Sequence, residues 1–222
     1  MKTNLLFIPL YLLLFVNLNW ACELEEQIIK AGLIDIKTVD STFKIEILNA
    51  TENNILGINS YGCLSKCYLR PEVADKLFKA QQYLRSLKPG YSLKLWEGVR
   101  PRSIQRKMFE AVKGTGIEKY VANPEKGSMH NFGTAVDVTI IDGKGIELDM
   151  GKPDPKIKIK GKSNFELKIF MLLNHPNKKQ KTNRDLLKKV MMNSGFFPIS
   201  YEWWHFDAFQ KEFVRTHYKI IE

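Results

Sequence analysis

Long apolar stretches are almost absent from this sequence of 222 residues. The one long run, residues 5–16, is shorter than the roughly 20 apolar residues that a membrane-spanning helix needs. It lies close to the N-terminus, and Lys2 is the only charged residue before Glu23, which is typical of a secretory signal peptide. We therefore predict that residues 1–21 are a signal peptide. Residues 22–222 would form the mature protein, exported to the periplasm or the cell envelope.

Cysteine is also scarce. The three cysteines, Cys22, Cys63 and Cys67, have no histidine near them in the sequence, which disfavours a structural zinc site. Because Cys22 directly follows the predicted signal peptide, it is a candidate for lipid attachment, and such an anchor is the only membrane association that we predict. In an oxidising compartment, Cys63 and Cys67 would then remain as an even pair that can close a small disulfide loop. The alternative is two free, partly buried thiols.

The sequence lacks the basic stripe with interleaved aromatic residues that indicates nucleic-acid binding. Its 34 lysines and arginines exceed its 24 aspartates and glutamates, for a formal charge of +10, but the lysines are scattered. Because a secretory signal also argues against nucleic acid as a partner, we expect a solvated basic surface suited to an acidic cell envelope. The length and the apolar content of 44% indicate one globular domain with a sizeable core.

The chain contains neither an internal repeat nor a long linker, and its apolar pattern predicts helices mixed with short strands. Alternating apolar and polar residues predict strands at residues 43–47, 92–97 and 201–206. Apolar residues at helical spacing predict helices that begin at Pro71, at a Ser103 cap and at an Asn183 cap. Residues 156–162 suit either an edge strand guarded by lysines or a mobile loop, and residues 165–173 suit a helix.

The most informative stretch is residues 128–137. His130 and Asp137 lie on either side of Gly133, and the mostly apolar residues 138–141 follow, which predicts a loop, a turn and then a buried strand. A buried aspartate is costly without a partner, and a carboxylate beside an imidazole is a common ligand pair for zinc. The alternative is an aspartate bonded to a backbone amide, with an unrelated surface histidine.

A second informative stretch contains Glu202 and His205. A catalytic zinc typically has three protein ligands and one open position, which His130, Asp137 and His205 would supply, leaving Glu202 as general base for the attacking water. Residues three apart point to opposite sides of a flat strand, so Glu202 and His205 can share a site only if the backbone bends between them. Without such a bend, Glu202 is an ordinary solvated glutamate.

Arg100 is placed at the exit of the predicted strand 92–97, just before a proline. Its planar guanidinium would suit an oxyanion that forms on a peptide carbonyl. The alternative is a surface arginine, and sequence spacing alone leaves open whether Arg100 lies near the histidines.

These motifs together resemble the D-alanyl-D-alanine dipeptidases, the VanX-type zinc peptidases of bacterial cell-wall metabolism. The resemblance rests on the pattern Ser-x-His-x-x-Gly-x-Ala-x-Asp at residues 128–137 and on Glu-Trp-Trp-His at residues 202–205. It covers roughly residues 43–210 and includes residues 67–70, 96–101 and 193–196. The first pattern alone is shared with D,D-carboxypeptidases, whereas the double tryptophan is similar to the dipeptidase branch.

The resemblance implies an α+β fold, with a single domain in which helices flank a small, mostly antiparallel sheet that carries the zinc site. It implies one Zn²⁺ per subunit, bound by His130, Asp137 and His205. Glu202 would be the general base, and Arg100 would stabilise the tetrahedral intermediate.

The resemblance also implies residues that hold the substrate. Ser128 would help to bind it, and an aspartate after a Met-Gly segment would pair with the ammonium group. Asp154 and Asp149 are both candidates for this aspartate, because the segment here is one residue shorter than the family pattern. Glu97 stands where the family has an aspartate, and Val99 where it has a tyrosine.

The expected activity is zinc-dependent hydrolysis of D-Ala-D-Ala to two D-alanines, so the expected partner is a small D,D-dipeptide. One alternative is a D,D-carboxypeptidase that acts on longer peptidoglycan peptides. Another is a non-catalytic, zinc-containing module that binds the envelope, which the presence of Glu202 and Arg100 disfavours because a structural zinc site needs neither. The physiological role, whether resistance, wall recycling or nutrient use, and the oligomeric state are left open.

Overall fold

The computed structural model describes residues 22–115, 118, 121–151 and 176–222. The helices of these residues are α1 Glu23–Lys30, α2 Pro71–Leu87, α3 Arg102–Val112, α4 Lys178–Asn193 and α5 Lys211–His217. The strands are β1 Ile34–Asp35, β2 Lys44–Ile45, β3 Tyr68–Leu69, β4 Ser92–Glu97, β5 Ala135–Ile141, β6 Phe197–Pro198 and β7 His205–Asp207. None of the helices in this part of the chain is long and apolar enough to span a membrane.

The main sheet has five strands in the order β2-β4-β5-β7-β6. β2 pairs with β4 in parallel, and the other three pairings are antiparallel. A separate antiparallel pair is formed by β1 and β3. The predicted α+β fold with a small, mostly antiparallel sheet is confirmed.

β5 is the central strand, and all seven of its residues are buried. Its Asp137 lies opposite Glu97 of β4 on one side and opposite His205 of β7 on the other. The register between β4 and β5 shifts between Leu95 and Glu97, an irregularity of the kind that re-aims side chains at the end of a strand. The side chains of Glu97, Asp137 and His205 therefore come from neighbouring positions of the adjacent strands β4, β5 and β7.

The core lies between this sheet and helices α2 and α4. α2 begins at Pro71, a residue suited to the first turn of a helix. It buries apolar side chains at helical spacing and ends at Leu87, before Pro89-Gly90, as predicted. Its buried apolar residues join those of α4 and the sheet in one cluster, among them Leu77, Leu84, Leu93, Val138, Leu187 and Val190.

Two predicted helix starts are wrong. α3 begins at Arg102, with Pro101 rather than Ser103 at the N-cap position. α4 begins at Lys178, where the Asn177 side chain accepts a hydrogen bond of 2.9 Å from the Gln180 amide. The first turn of α4 is strongly polar and therefore lacks the apolar periodicity on which the prediction relied. Asn183 lies inside the helix.

The strand predicted for residues 201–206 is also shorter than expected. Only His205–Asp207 is strand, since the backbone turns just before it and the His205 amide lies 3.4 Å from the Glu202 carbonyl oxygen. This turn is the bend that Glu202 and His205 need to share a site. The predictions for residues 156–162 and 165–173 lie outside the described residues.

The structure pairs Cys22 with Cys63 in a disulfide, with 5.7 Å between their Cα atoms, and leaves Cys67 as a buried free thiol. Both alternatives considered for Cys63 and Cys67 are therefore wrong, because Cys63 is bonded to a distant cysteine. The disulfide joins the start of α1 to the loop before β3. It uses the same sulfur atom that a lipid at Cys22 would need, so the two modifications exclude each other.

Candidate active site

Three predicted zinc ligands converge at one end of the sheet. His130 lies on the short 3₁₀ turn Met129–Phe132, Asp137 on β5, and His205 at the start of β7. The His130 Nε2 atom lies 3.0 Å from His205 Nδ1 and 3.2 Å from Asp137 Oδ1, and His205 Nδ1 lies 3.1 Å from Asp137 Oδ1. All three residues are buried. The structure thus brings together residues that are far apart in the sequence.

Local capping holds the turn that carries His130. The Ser128 side chain accepts a hydrogen bond of 3.4 Å from the His130 amide, and the Asn131 side chain accepts one of 2.6 Å from the Ser128 amide. Gly133 ends the turn in the left-handed region, with φ of 71°. A Cβ atom there would also lie 2.6 Å from a Leu33 methyl group, so the position favours glycine on two counts.

The outer nitrogen of each imidazole has its own acceptor. His130 Nδ1 donates to the Gly98 carbonyl oxygen at 2.8 Å, and His205 Nε2 donates to Asp207 Oδ1 at 2.8 Å. With these protons outside the cluster, the lone pairs of His130 Nε2 and His205 Nδ1 face Asp137. Zinc ligands are oriented by hydrogen bonds of this kind.

The spacing of the donor atoms also fits zinc. Bonds of about 2.0–2.2 Å in a tetrahedron place ligand atoms about 3.3–3.6 Å apart, and the observed separations of 3.0–3.2 Å are only slightly shorter. Two imidazoles and one carboxylate match the donor set of a catalytic zinc site. The residues present therefore fit the metal that the sequence predicted.

Asp207 was not predicted as a site residue, although the sequence carries a signal for it. Residues two apart on a strand point to the same side, and Asp207 follows His205 by two positions on β7. An aspartate at this spacing from a candidate ligand could therefore have been recognised as its hydrogen-bond partner.

Glu202 lies beside the cluster, with its Oε2 atom 3.8 Å from His205 Nδ1 and its side chain 17% exposed. Burial, with a contribution from the charge of Asp137, raises the pKa of Glu202 to about 7 against the opposing effects of His205 and Arg100. A carboxyl with a pKa near neutral can both accept and return a proton at physiological pH. The position and environment suit the general base predicted from the sequence.

Arg100 is buried beside the same cluster. Its Nη1 donates to Gln105 Oε1 at 2.9 Å, and its Nη2 lies 3.6 Å from Asp137 Oδ2. Burial alone would lower the pKa of Arg100, but the neighbouring Glu97 and other acidic groups raise it, so the guanidinium stays charged. The structure therefore places a permanent positive charge next to the candidate metal site.

A cavity of about 310 Å³ opens onto these residues. Six of the predicted site residues line it, namely Arg100, Ser128, His130, Asp137, Glu202 and His205. Its apolar wall includes Leu48, Trp96 and Trp204. A small cavity with a few convergent polar groups is the usual form of a small-molecule site.

The sequence predicted that Asp149 or Asp154 binds the ammonium group of the substrate. Asp149 does not line the cavity. Its Oδ1 instead accepts hydrogen bonds from the Gly151 amide at 3.0 Å and from Gln180 Nε2 at 3.1 Å. Asp154 lies outside the described residues. Of the two candidates for this role, Asp149 is therefore engaged elsewhere.

The profile of the peptidase M15 family, described as D-ala-D-ala dipeptidase, matches residues 29–222. The chain belongs to this family. The resemblance stated from the motifs is thereby confirmed, as is the predicted enzyme class, a metallopeptidase that hydrolyses D-Ala-D-Ala in cell-wall metabolism.

Individual relatives agree with this assignment. The D-alanyl-D-alanine dipeptidase of Escherichia coli K12 is 29% identical over 177 residues, which cover 79% of this chain and 83% of the relative. The enzymes of the same name from Enterococcus faecalis and Synechocystis are 29% and 24% identical over 167 residues each. These matches cover 67% and 62% of this chain, and 76% and 68% of the respective relatives.

Two solved structures are more distantly similar. The LdcB LD-carboxypeptidase is 22% identical with a TM-score of 0.39, over 67% of this chain and 63% of that one. VanYB in complex with D-Alanine-D-Alanine is 17% identical with a TM-score of 0.40, over 68% of this chain and 76% of that one.

Proposed function

We propose that the protein is an exported zinc dipeptidase, in which His130, Asp137 and His205 hold one Zn²⁺ for the hydrolysis of D-Ala-D-Ala. The observation that carries this proposal is the orientation of the two imidazoles, whose outer nitrogens are fixed by Gly98 and Asp207 so that their lone pairs meet at Asp137. When bound, Zn²⁺ supplies Lewis-acid polarisation of the scissile carbonyl and lowers the pKa of the attacking water.

The other residues of the cavity perform the proton transfer and the charge stabilisation. Glu202 accepts a proton from the attacking water as the oxygen bonds to the carbonyl carbon. Arg100 donates hydrogen bonds to the carbonyl oxygen as it becomes negative. Glu202 then passes the proton to the amide nitrogen as the carbon–nitrogen bond breaks, which releases two D-alanines. Ser128, which lines the cavity, would help to hold the dipeptide, and Asp154 would pair with its ammonium group.

The size of the cavity supports a dipeptide over a longer wall peptide. Pockets for small ligands span roughly 300–1,000 Å³, and this one, at about 310 Å³, is at the lower end. A D,D-carboxypeptidase would need an open cleft for the rest of the peptide chain. The two activities are distinguished by the substrates used in the test below.

Export is supported by two features of the chain. The N-terminal apolar run is typical of a signal peptide, and the disulfide between Cys22 and Cys63 is the kind of bond that persists in oxidising compartments such as the periplasm. Cell fractionation, with an alkylation assay for the thiols, tests both. Protein found only in the cytoplasm, with all three cysteines reduced, would contradict the proposal.

The decisive test measures D-alanine release by zinc-loaded wild type and by Glu202→Gln. The wild type should cleave D-Ala-D-Ala and act much more slowly on a pentapeptide that ends in D-Ala-D-Ala. Glu202→Gln should lose about 10²–10⁴-fold in kcat, the usual contribution of a general acid–base group. Glu110→Gln, at an exposed glutamate of α3, makes the same change of charge away from the cavity and should leave kcat unaltered.

Equal activity of wild type and Glu202→Gln would exclude this mechanism. Release of a single D-alanine from the pentapeptide, with no cleavage of the dipeptide, would instead identify a D,D-carboxypeptidase.

A further inference from the structure

A buried polar cluster lies next to Arg100 and consists of Tyr61, Glu97 and Asn49, which are 3%, 2% and 3% exposed. The Tyr61 hydroxyl donates to Glu97 Oε1, and Asn49 Nδ2 donates to Glu97 Oε2. Both oxygens of this carboxylate are therefore held by donors from two other segments of the chain. Asn49 and Glu97 line the cavity, whereas Tyr61 does not.

Glu97 in turn contacts the guanidinium of Arg100. Arg100 Nη2 lies 3.4 Å from Glu97 Oε2 and 3.6 Å from Asp137 Oδ2, so the guanidinium is placed between two carboxylates. One of these belongs to a candidate zinc ligand. If Glu97 were free to rotate, Arg100 would pair more closely with Asp137, because charge-assisted hydrogen bonds are strong in a buried site. The orientation of Glu97 therefore decides where the guanidinium points.

The remaining contacts of Arg100 point to a ligand. Gln105 Oε1 accepts from Nη1 at 2.9 Å, and the Gln105 side chain is itself anchored by a hydrogen bond of 2.8 Å from its Nε2 to the Ala122 carbonyl oxygen. Arg100 Nε is buried and has no acceptor among the described residues. A buried donor without a partner costs about 1–3 kcal/mol, and an oxyanion of the substrate would supply the missing acceptor.

We propose that Tyr61 is a positioning residue for catalysis: through Glu97, its hydroxyl orients Arg100 toward the oxyanion of the tetrahedral intermediate. This inference rests on the proposed function. Burial, together with the charge of Glu97, raises the pKa of Tyr61 well above its ordinary range. The hydroxyl therefore keeps its proton and donates throughout the neutral pH range. Electrostatic stabilisation of a transition state depends on this kind of preorganisation.

The test compares Tyr61→Phe with a matched control, Tyr68→Phe. The Tyr68 hydroxyl also donates to a glutamate, Glu25, but Glu25, unlike Glu97, does not line the cavity. For each protein we would measure kcat and KM for D-Ala-D-Ala, and the zinc content. Calorimetry would give the affinities for D-alanine and for a phosphinate analogue of the dipeptide, which mimics the tetrahedral intermediate.

Tyr61→Phe should lower kcat about 10–100-fold, less than the 10²–10³-fold typical when a donor to an oxyanion is removed directly. Its affinity for the phosphinate should fall by a similar factor, while KM, D-alanine affinity and zinc content stay as in the wild type. Tyr68→Phe should match the wild type in kcat, KM, zinc content and both affinities. In a background of Arg100→Lys, the addition of Tyr61→Phe should cause little further loss, because both changes affect one group.

Three results would overturn the inference. Unchanged kcat and phosphinate affinity in Tyr61→Phe, with an active wild type, would remove the role of Tyr61 and leave the dipeptidase function intact. Equal losses of phosphinate and D-alanine affinity, or a loss of zinc, would show that the hydroxyl has only a structural role. A wild type that neither cleaves the dipeptide nor binds the phosphinate would overturn both proposals. If Tyr61→Phe does not fold, Glu97→Gln undergoes the same measurements with the same criteria.

Discussion

His205 Nε2 donates a hydrogen bond of 2.8 Å to the carboxylate of Asp207, two residues further along β7. The bond fixes which nitrogen of His205 carries the proton and leaves Nδ1 free to face His130 and Asp137. Asp207 is only 5% exposed, so its charge acts in surroundings where electrostatic interactions are strong. A carboxylate behind a histidine ligand both orients the ring and increases its basicity.

Replacement of Asp207 by alanine should therefore weaken zinc binding. Loss of a hydrogen-bond partner behind a ligand typically costs about 10–100-fold in metal affinity. Competition with a chromogenic chelator measures the change, and Asp185→Ala, at an exposed aspartate of α4, serves as the control. If Asp207→Ala and the wild type had the same zinc affinity, Asp207 would not orient His205.

Gly98 packs closely against Cys67 and Tyr68, and its carbonyl oxygen accepts a hydrogen bond from the candidate zinc ligand His130. A Cβ atom at this position would lie 2.7 Å from both Cys67 Sγ and the Tyr68 carbonyl oxygen, so Gly98→Ala should displace the backbone whose carbonyl accepts from His130 Nδ1. Overpacking of this kind costs about 1–3 kcal/mol of unfolding free energy, and we expect zinc affinity to fall as well.

Thermal unfolding and chelator competition measure the two effects of Gly98→Ala. Gly143→Ala is the matched control, because the nearest atom to a Cβ there is 3.8 Å away, and it should behave like the wild type. A Gly98→Ala variant with normal stability and normal zinc affinity would show that the backbone accommodates the added methyl group without loss of either property.

The disulfide between Cys22 and Cys63 spans 41 residues of sequence, so it should restrict the unfolded chain considerably. We expect Cys22→Ser/Cys63→Ser to lose about 2–4 kcal/mol of unfolding free energy, with kcat unchanged at 25 °C because neither cysteine lines the cavity. A reductant should lower the Tm of the wild type toward that of the double variant and have no effect on the variant itself. If a reductant lowered the Tm of the wild type and of the double variant equally, this would argue against the pairing of Cys22 with Cys63.

Local sequence patterns were sufficient to predict many of the helices and strands. α2 follows from its proline start and the spacing of its apolar residues, β4 from alternation, and β5 from a mostly apolar run. These patterns succeed because each element buries one face or both, and burial determines the period of the apolar residues. The start of α4 was misplaced because its first turn carries no apolar residue to reveal it.

The sequence by itself determined which residue types are available for catalysis, including two histidines, an aspartate, a glutamate and an arginine at recognisable spacings. Only the tertiary structure decided that His130 and His205, 75 positions apart, meet at Asp137, and that Cys22 rather than Cys67 pairs with Cys63. It also decided that Tyr61 holds Glu97 beside Arg100. The physical reason is that periodicity reports burial within one element, whereas these contacts arise where the sheet and its connecting loops bring distant segments together.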